Sequence, residues 1–164
     1  MRIEYATEEQ VRDVALHMRA TDFAEFSAVS HARTREDLAD LLAARYGGQP
    51  FTLCASVDDR PVAIGAVLEA RPNVASLMFF ATDEFPTIAR PLTRFIRRKV
   101  LEPMKQSGVH RIETVSMLLH RGAHRWLTAL GLEKEAGPFR GYGRNGEPFV
   151  QYAWVADDFR AARN

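Results

Sequence analysis

The sequence predicts an α/β fold of mixed α+β character: a single domain with a central mixed, mostly antiparallel sheet, helices on both faces and a C-terminal hairpin. Three observations lead there. A length of 164 residues, 46% hydrophobic and 26% charged, suits one ordinary core that buries roughly two thirds of the unfolded surface. Helical and strand periodicities alternate along the chain, with no repeat, low-complexity tract or linker to divide it. Beyond Pro50, polar turns cut the apolar text into three consecutive strand-like runs.

Residues 2–6 (RIEYA) alternate as a strand. Thr7 with Gln10 has capping-box spacing and opens a helix that carries Val11, Val14, Ala15 and Met18 on one face. Asp22 with Glu25 repeats that spacing ahead of a short helix. Thr34 with Asp37 does so again ahead of Leu38, Leu41 and Leu42, with Gly47 and Gly48 as the stop. FTLCASV, PVAIGAVLEA and VASLMFFA are then separated by Asp58-Asp59-Arg60 and Arg71-Pro72-Asn73. They are too continuously apolar for one wetted face, so three central antiparallel strands are expected. Residues 86–106 read as a helix with Leu92, Phe95, Ile96 and Val100 inward, in which Pro91 either kinks the helix or marks its first turn. RIETVSML is the next strand, and His120 to Leu130 a helix stopped by Gly131. A hairpin follows whose tightest turn is Asn145-Gly146, with Phe149 to Val155 returning. The domain is expected over residues 1–156, with 157–164 as a tail.

Charge and cysteine usage narrow the function classes. Twenty-two Lys and Arg against twenty-one Asp and Glu leave +1, so bulk charge gives no reason to expect nucleic acid or an anionic membrane as partner. The apolar run Val74 to Ala81 is far short of the ~20 residues that cross a bilayer, so no membrane insertion is expected. Cys54 cannot form an internal disulfide, and with a start (MRIEYATEEQ) that has no apolar signal core it points to a reducing cytoplasm. It reads as a small core hydrophobe. His110, His120 and His124 have no Cys or acidic partner at ligand spacing, so no metal is expected.

The order of elements resembles that of the GNAT fold, the acetyl-CoA-dependent N-acyltransferase architecture, over about residues 2–155. GAHRWLTALGLEKE resembles that family's closing helix and its step into the next strand through Gly131-Leu132. MRATDFAEFSA, RPVAIGAV, FFATDEF, WLTALGLEKE and FVQYAWV together resemble the GNAT-like proteins of short-tailed phages and prophages, some of them named internal virion proteins. The resemblance implies a virion or host-cytoplasm location and other virion or host proteins as partners; a homo-oligomer is compatible with the aromatic-rich last strand.

A GNAT enzyme holds the CoA pyrophosphate on amides at a helix N-terminus, which the family builds as an Arg/Gln-x-x-Gly-x-Gly/Ala turn. The corresponding stretch here, Thr82 to Arg90, has no glycine, places Pro86 where an N–H is wanted and adds Asp83 and Glu84. Residues that could line such a site are Phe80, Ala81, Thr82, Thr87, Ala89, Arg90 and His120. His120 stands where the family often has an Asn, although a His opening a helix is commonly a polar cap or a surface group. Leu127 stands where the family often has a Tyr as general acid, and neighbouring Trp126 does not usefully ionise. Tyr142 or Tyr152 of the hairpin could substitute. Glu69 and Glu113 are the candidate bases by position, and a solvated strand end is the bland reading of Glu69. Arg90 to Lys99 could hold an acidic partner or phosphate, but such a run is commonly a solvated face. Arg140 to Gly146 reads as a mobile basic hairpin tip.

Two functions are consistent with these residues. In one, the chain is a phage-encoded GNAT-like protein with a degenerate acetyl-CoA site, no cofactor and a role exerted through protein contacts. In the other, it is an active acetyl-CoA-dependent N-acetyltransferase acting on a small amine or a host protein.

Overall fold

The computed structural model describes residues 1–160. Seven strands form one sheet in the order β1-β2-β3-β4-β5-β7-β6: β1 (Arg2–Tyr5), β2 (Thr52–Val57), β3 (Arg60–Arg71), β4 (Val74–Ala81), β5 (Arg111–Met117), β6 (Glu133–Phe139) and β7 (Phe149–Val155). All neighbours are antiparallel except β4 and β5. The mixed, mostly antiparallel single-domain fold expected from the sequence is therefore the one observed.

One face is covered by α1 (Glu8–Leu16), α2 (Ala20–Ala28) and α3 (Arg35–Tyr46), which enclose Val11, Val14, Leu38, Leu42, Cys54, Ile64 and Phe80. Thr7 and Thr34 cap α1 and α3 with complete capping boxes, each satisfying first-turn amides that would otherwise lack partners. Of the three leucines that follow the Thr34 cap, Leu38 and Leu42 are buried and Leu41 is exposed. The opposite face is covered by α4 (Phe85–Phe95), a π-helical stretch Ile96–Leu101, α5 (Glu102–Gln106) and α6 (Arg121–Leu130), over Phe85, Ile88, Leu92, Leu101, Leu127 and Leu130. Gly131 ends α6 at φ +97°, a left-handed conformation that costs a glycine little. A last turn, α7 (Asp157–Arg160), begins the expected tail; residues 161–164 lie outside the described residues.

Four local expectations are corrected. Asp22 does not cap α2: the cap position is Arg19, without a side-chain bond, and Asp22 lies inside the helix. The long helix 86–106 is three segments, and Pro91 lies within α4 while Pro86 occupies its first turn. His120 precedes α6 at the cap position but makes no capping bond and is buried. Asn145-Gly146 is not a two-residue hairpin turn, because residues 140–148 connect β6 to β7 and Asn145 lacks the positive φ that turn needs. There the Glu147 carboxylate accepts from the Asn145 amide and Nδ2, and the Arg144 amide donates to the Ala28 carbonyl. The turn of that type joins β2 to β3, where Asp58 and Asp59 have φ of 48° and 62° and Val57 pairs with Arg60.

The parallel pair positions the site. β4 and β5 are in register only at Val74–Arg111, Ala75–Ile112 and Ser76–Glu113. Beyond Ser76 they diverge, so their C-terminal ends form a fork whose crotch is bridged by Thr114 Oγ1 donating to the Leu77 carbonyl at 2.9 Å.

Candidate active site

A strand pair that separates leaves backbone groups facing the gap, and each needs a partner. In this fork they find one in α2. The Arg19 amide donates to the Ala81 carbonyl, and the Ala81 amide donates to Asp22 Oδ2, both at 2.9 Å. Across the gap, Glu25 Oε2 accepts from the Met117 amide at 2.6 Å and from Ser116 Oγ at 2.8 Å. Asp22 thus holds the end of β4, and Glu25, one helical turn on, holds the end of β5.

His120 lies between these carboxylates, its Nε2 3.2 Å from Asp22 Oδ1 and its Nδ1 3.1 Å from Glu25 Oε2. A neutral imidazole has a single N–H, so satisfying both contacts requires one further proton, on the ring or on a carboxyl. Burial raises the Asp22 carboxyl above its ordinary range, outweighing Arg19, the Ala81 amide and His120, which act in the other direction. Arg19 grips Asp22 through Nε and Nη2 at 2.7 to 3.0 Å. His124 stands beside the cluster, donating from Nε2 to the Met117 carbonyl at 3.1 Å, and burial lowers its pKa. Below lies a cavity of about 350 Å³ whose walls include Leu77, Phe79, Ser116, His120 and Trp126, a volume at the lower end of small-ligand sites. Trp126 is fixed there by donating to Thr93 Oγ1 at 2.8 Å.

The residues named from sequence fall into three places. His120 is in the cluster, and Ala81 supplies its backbone to it. Phe80 is buried on the opposite face, edge-on to Phe26. Thr82, Thr87, Ala89 and Arg90 form the bend and first turns of α4. Glu69 is exposed, pairs with Ala75 and so lies at the closed end of the fork. Glu113 accepts from Arg71, Arg111 and Gln151, which commits its oxygens to ion pairs. Tyr142 is 45% exposed on the β6–β7 loop, its ring 4.7 Å from that of Phe149. Nothing local in the sequence marks Ser116 as a site residue, and the only local signal for Asp22 and Glu25 is a pair of acids three apart in the otherwise mostly apolar ATDFAEFSA.

The bend before α4 can be tested as a diphosphate cradle. The Ala81 amide is taken by Asp22, and the Thr82 amide by the Val62 carbonyl. The Glu84 amide donates to Thr82 Oγ1, Phe85 to the Thr82 carbonyl and Thr87 to the Glu84 carbonyl. Pro86 has none. Among residues 81–87 this leaves the Asp83 amide alone, and the exposed Asp83 and Glu84 carboxylates flank it. Anion cradles work by presenting several unpaired amides together, and these residues do not fit a pyrophosphate.

Among the described residues no group of His, Cys, Asp and Glu is placed to hold a metal ion, and no helix is long and apolar enough to cross a membrane.

No family model matches the sequence, and no curated protein matches it. Solved structures do match. A protein provisionally assigned as an acetyltransferase is 18% identical, with a TM-score of 0.70 over 97% of this chain and 84% of its own. A GNAT-family acetyltransferase from Bacillus anthracis is 11% identical, with a TM-score of 0.68 over 93% of both chains. The ribosomal-protein-S18-alanine N-acetyltransferase of Escherichia coli is 14% identical, with a TM-score of 0.63 over 94% of this chain and 92% of its own. At such identities the likeness is one of architecture, and the chain has the fold of the GNAT acetyltransferases.

Proposed function

We propose that this chain is a GNAT-fold protein with a degenerate acetyl-CoA site, acting through protein contacts as a virion-associated component of a short-tailed phage or prophage, in the virion or the host cytoplasm. The observation that carries the closed site is the state of the amides from Ala81 to Thr87, which are spent within the chain or missing, save that of Asp83. The lack of glycine there and the two adjacent carboxylates act in the same direction. The phage assignment is supported by the resemblance in MRATDFAEFSA, RPVAIGAV and FFATDEF.

The test is thermal. A ligand at a hundred times its Kd that binds only the folded state stabilises it by about 2.7 kcal/mol, which for a chain of this length raises Tm by about 5–10 °C. Acetyl-CoA at millimolar concentration is expected to leave Tm unchanged, and a saturable rise refutes the reading. Mass spectrometry of purified particles tests the virion assignment.

A second reading is an acetyl-CoA-dependent N-acetyltransferase, which the cavity beneath a buried carboxyl with a raised pKa favours. In it Asp22 is the group positioned to take a proton from an amine. Acyl transfer by the purified protein, abolished in Asp22→Asn, would establish it.

A further inference from the structure

From Phe85 through Leu101 the sequence holds Arg90, Arg94, Arg97, Arg98 and Lys99 and no carboxylate. All five are exposed, and among the described residues none makes an ion pair, side-chain hydrogen bond or ring contact. Elsewhere many cations meet a carboxylate, among them Arg2, Arg12, Arg60, Arg71, Arg111 and Arg160; Arg33, Lys134 and Arg140 do not, but they stand apart from one another rather than in one run. With nearly equal numbers of acids and bases overall, this segment is where positive charge has been separated out. The separation works against the helix, since like charges at i and i+4, as in Arg90, Arg94 and Arg98, repel. Arg121 and Arg125, also exposed and unpartnered, lie on α6, which the Trp126–Thr93 bond fastens to α4.

We propose that this basic face of α4 and the π-helical stretch is a docking surface for a short acidic segment of a partner protein. Its extent decides between the anionic occupants. Arg90 to Lys99 spans about 14 Å at helical rise, and exposed carboxylates bound it, Asp83 and the Arg60-paired Glu84 before and the Lys105-paired Glu102 after. Duplex nucleic acid carries a charge every ~1.7 Å without interruption, so its phosphates would run onto those acids. A peptide with a few Asp or Glu residues ends where the basic run ends. The net charge of +1 also supplies no long-range field for a polyanion, whereas four arginines offer planar forks matched to carboxylates. The inference is independent of whether the fork accepts CoA.

The experiment is fluorescence anisotropy with a labelled hexaglutamate peptide and, separately, a short labelled DNA duplex, at about 50 and 200 mM salt. The variant R94Q/R97Q/R98Q is compared with R33Q/K134Q/R140Q, which removes the same charge from exposed sites elsewhere. Circular dichroism checks both for folding, and the single reversal Arg97→Glu serves if the triple variant does not fold. Saturable peptide binding is expected at the lower salt, weakened roughly tenfold or more by the stripe variant and under about threefold by the control. Absence of peptide binding, equal weakening by both triples, or tighter binding of the duplex than of the peptide would overturn the proposal.

Discussion

Replacing Asp22 by Ala measures what the α2 carboxylate does at the fork. The change strips the Ala81 amide of its acceptor, Arg19 of three contacts at 2.7 to 3.0 Å and His120 of one at 3.2 Å. A buried amide left without a partner costs about 1–3 kcal/mol. Losing the ion pair adds less than a fully buried one would, since the Arg19 side chain is 21% exposed and rehydrates. A total near 3 kcal/mol lowers Tm by about 6–12 °C in a chain of this length. Asp22→Asn keeps an oxygen for the Ala81 amide, and burial already disfavours the charge it removes, so less than half that loss is expected. Differential scanning calorimetry at neutral pH reads both variants. A drop below about 2 °C for Asp22→Ala, or equal drops for the two, would refute the reasoning and assign the role to packing or to the charge.

The same carboxyl sets a pH dependence. Its pKa is raised in the folded chain, so folding takes up a proton there. That contribution is fully present below the unfolded value of 3.8 and is lost as pH rises through the higher native value. Urea denaturation between acid and neutral pH should show the stability of the wild type falling relative to Asp22→Asn as pH rises; a constant difference would contradict the shift. Gly131→Ala should cost about 1 kcal/mol, seen as a lower urea midpoint with unchanged slope. The cost is conformational, because a Cβ there meets nothing within 4 Å while φ is +97°.

What could be read in the sequence was local. Thr7 and Thr34 announce their helices because a capping box is complete within four residues, and Gly131 marks a stop for a similarly local reason. The acids of α2 defeat that logic, since the three-residue spacing of a cap is also the spacing of one helix face. Only the tertiary structure shows which applies. Glu25 and His120 are 95 positions apart, and nothing near either predicts the other. His120 opens a helix, yet the buried Asp22 and half-buried Glu25 carboxylates outcompete the capping role. Asn145-Gly146 carries a strong turn signal that is overridden by Glu147 and by the bonds of Arg144 to another segment. The missing glycines of the bend were legible as composition, whereas the occupied amides needed coordinates.

The Arg144 contacts reach beyond the loop that carries them. Its amide donates to Ala28 at 2.7 Å and its guanidinium to Ala32 and Ser30 at 2.8 and 3.3 Å, so the returning hairpin is lashed to the tail of the helix that plugs the fork. Withdrawing that plug means prising off a clasp at each end of the same rod, the carboxylate grip on β4 at one and the Arg144 bonds at the other.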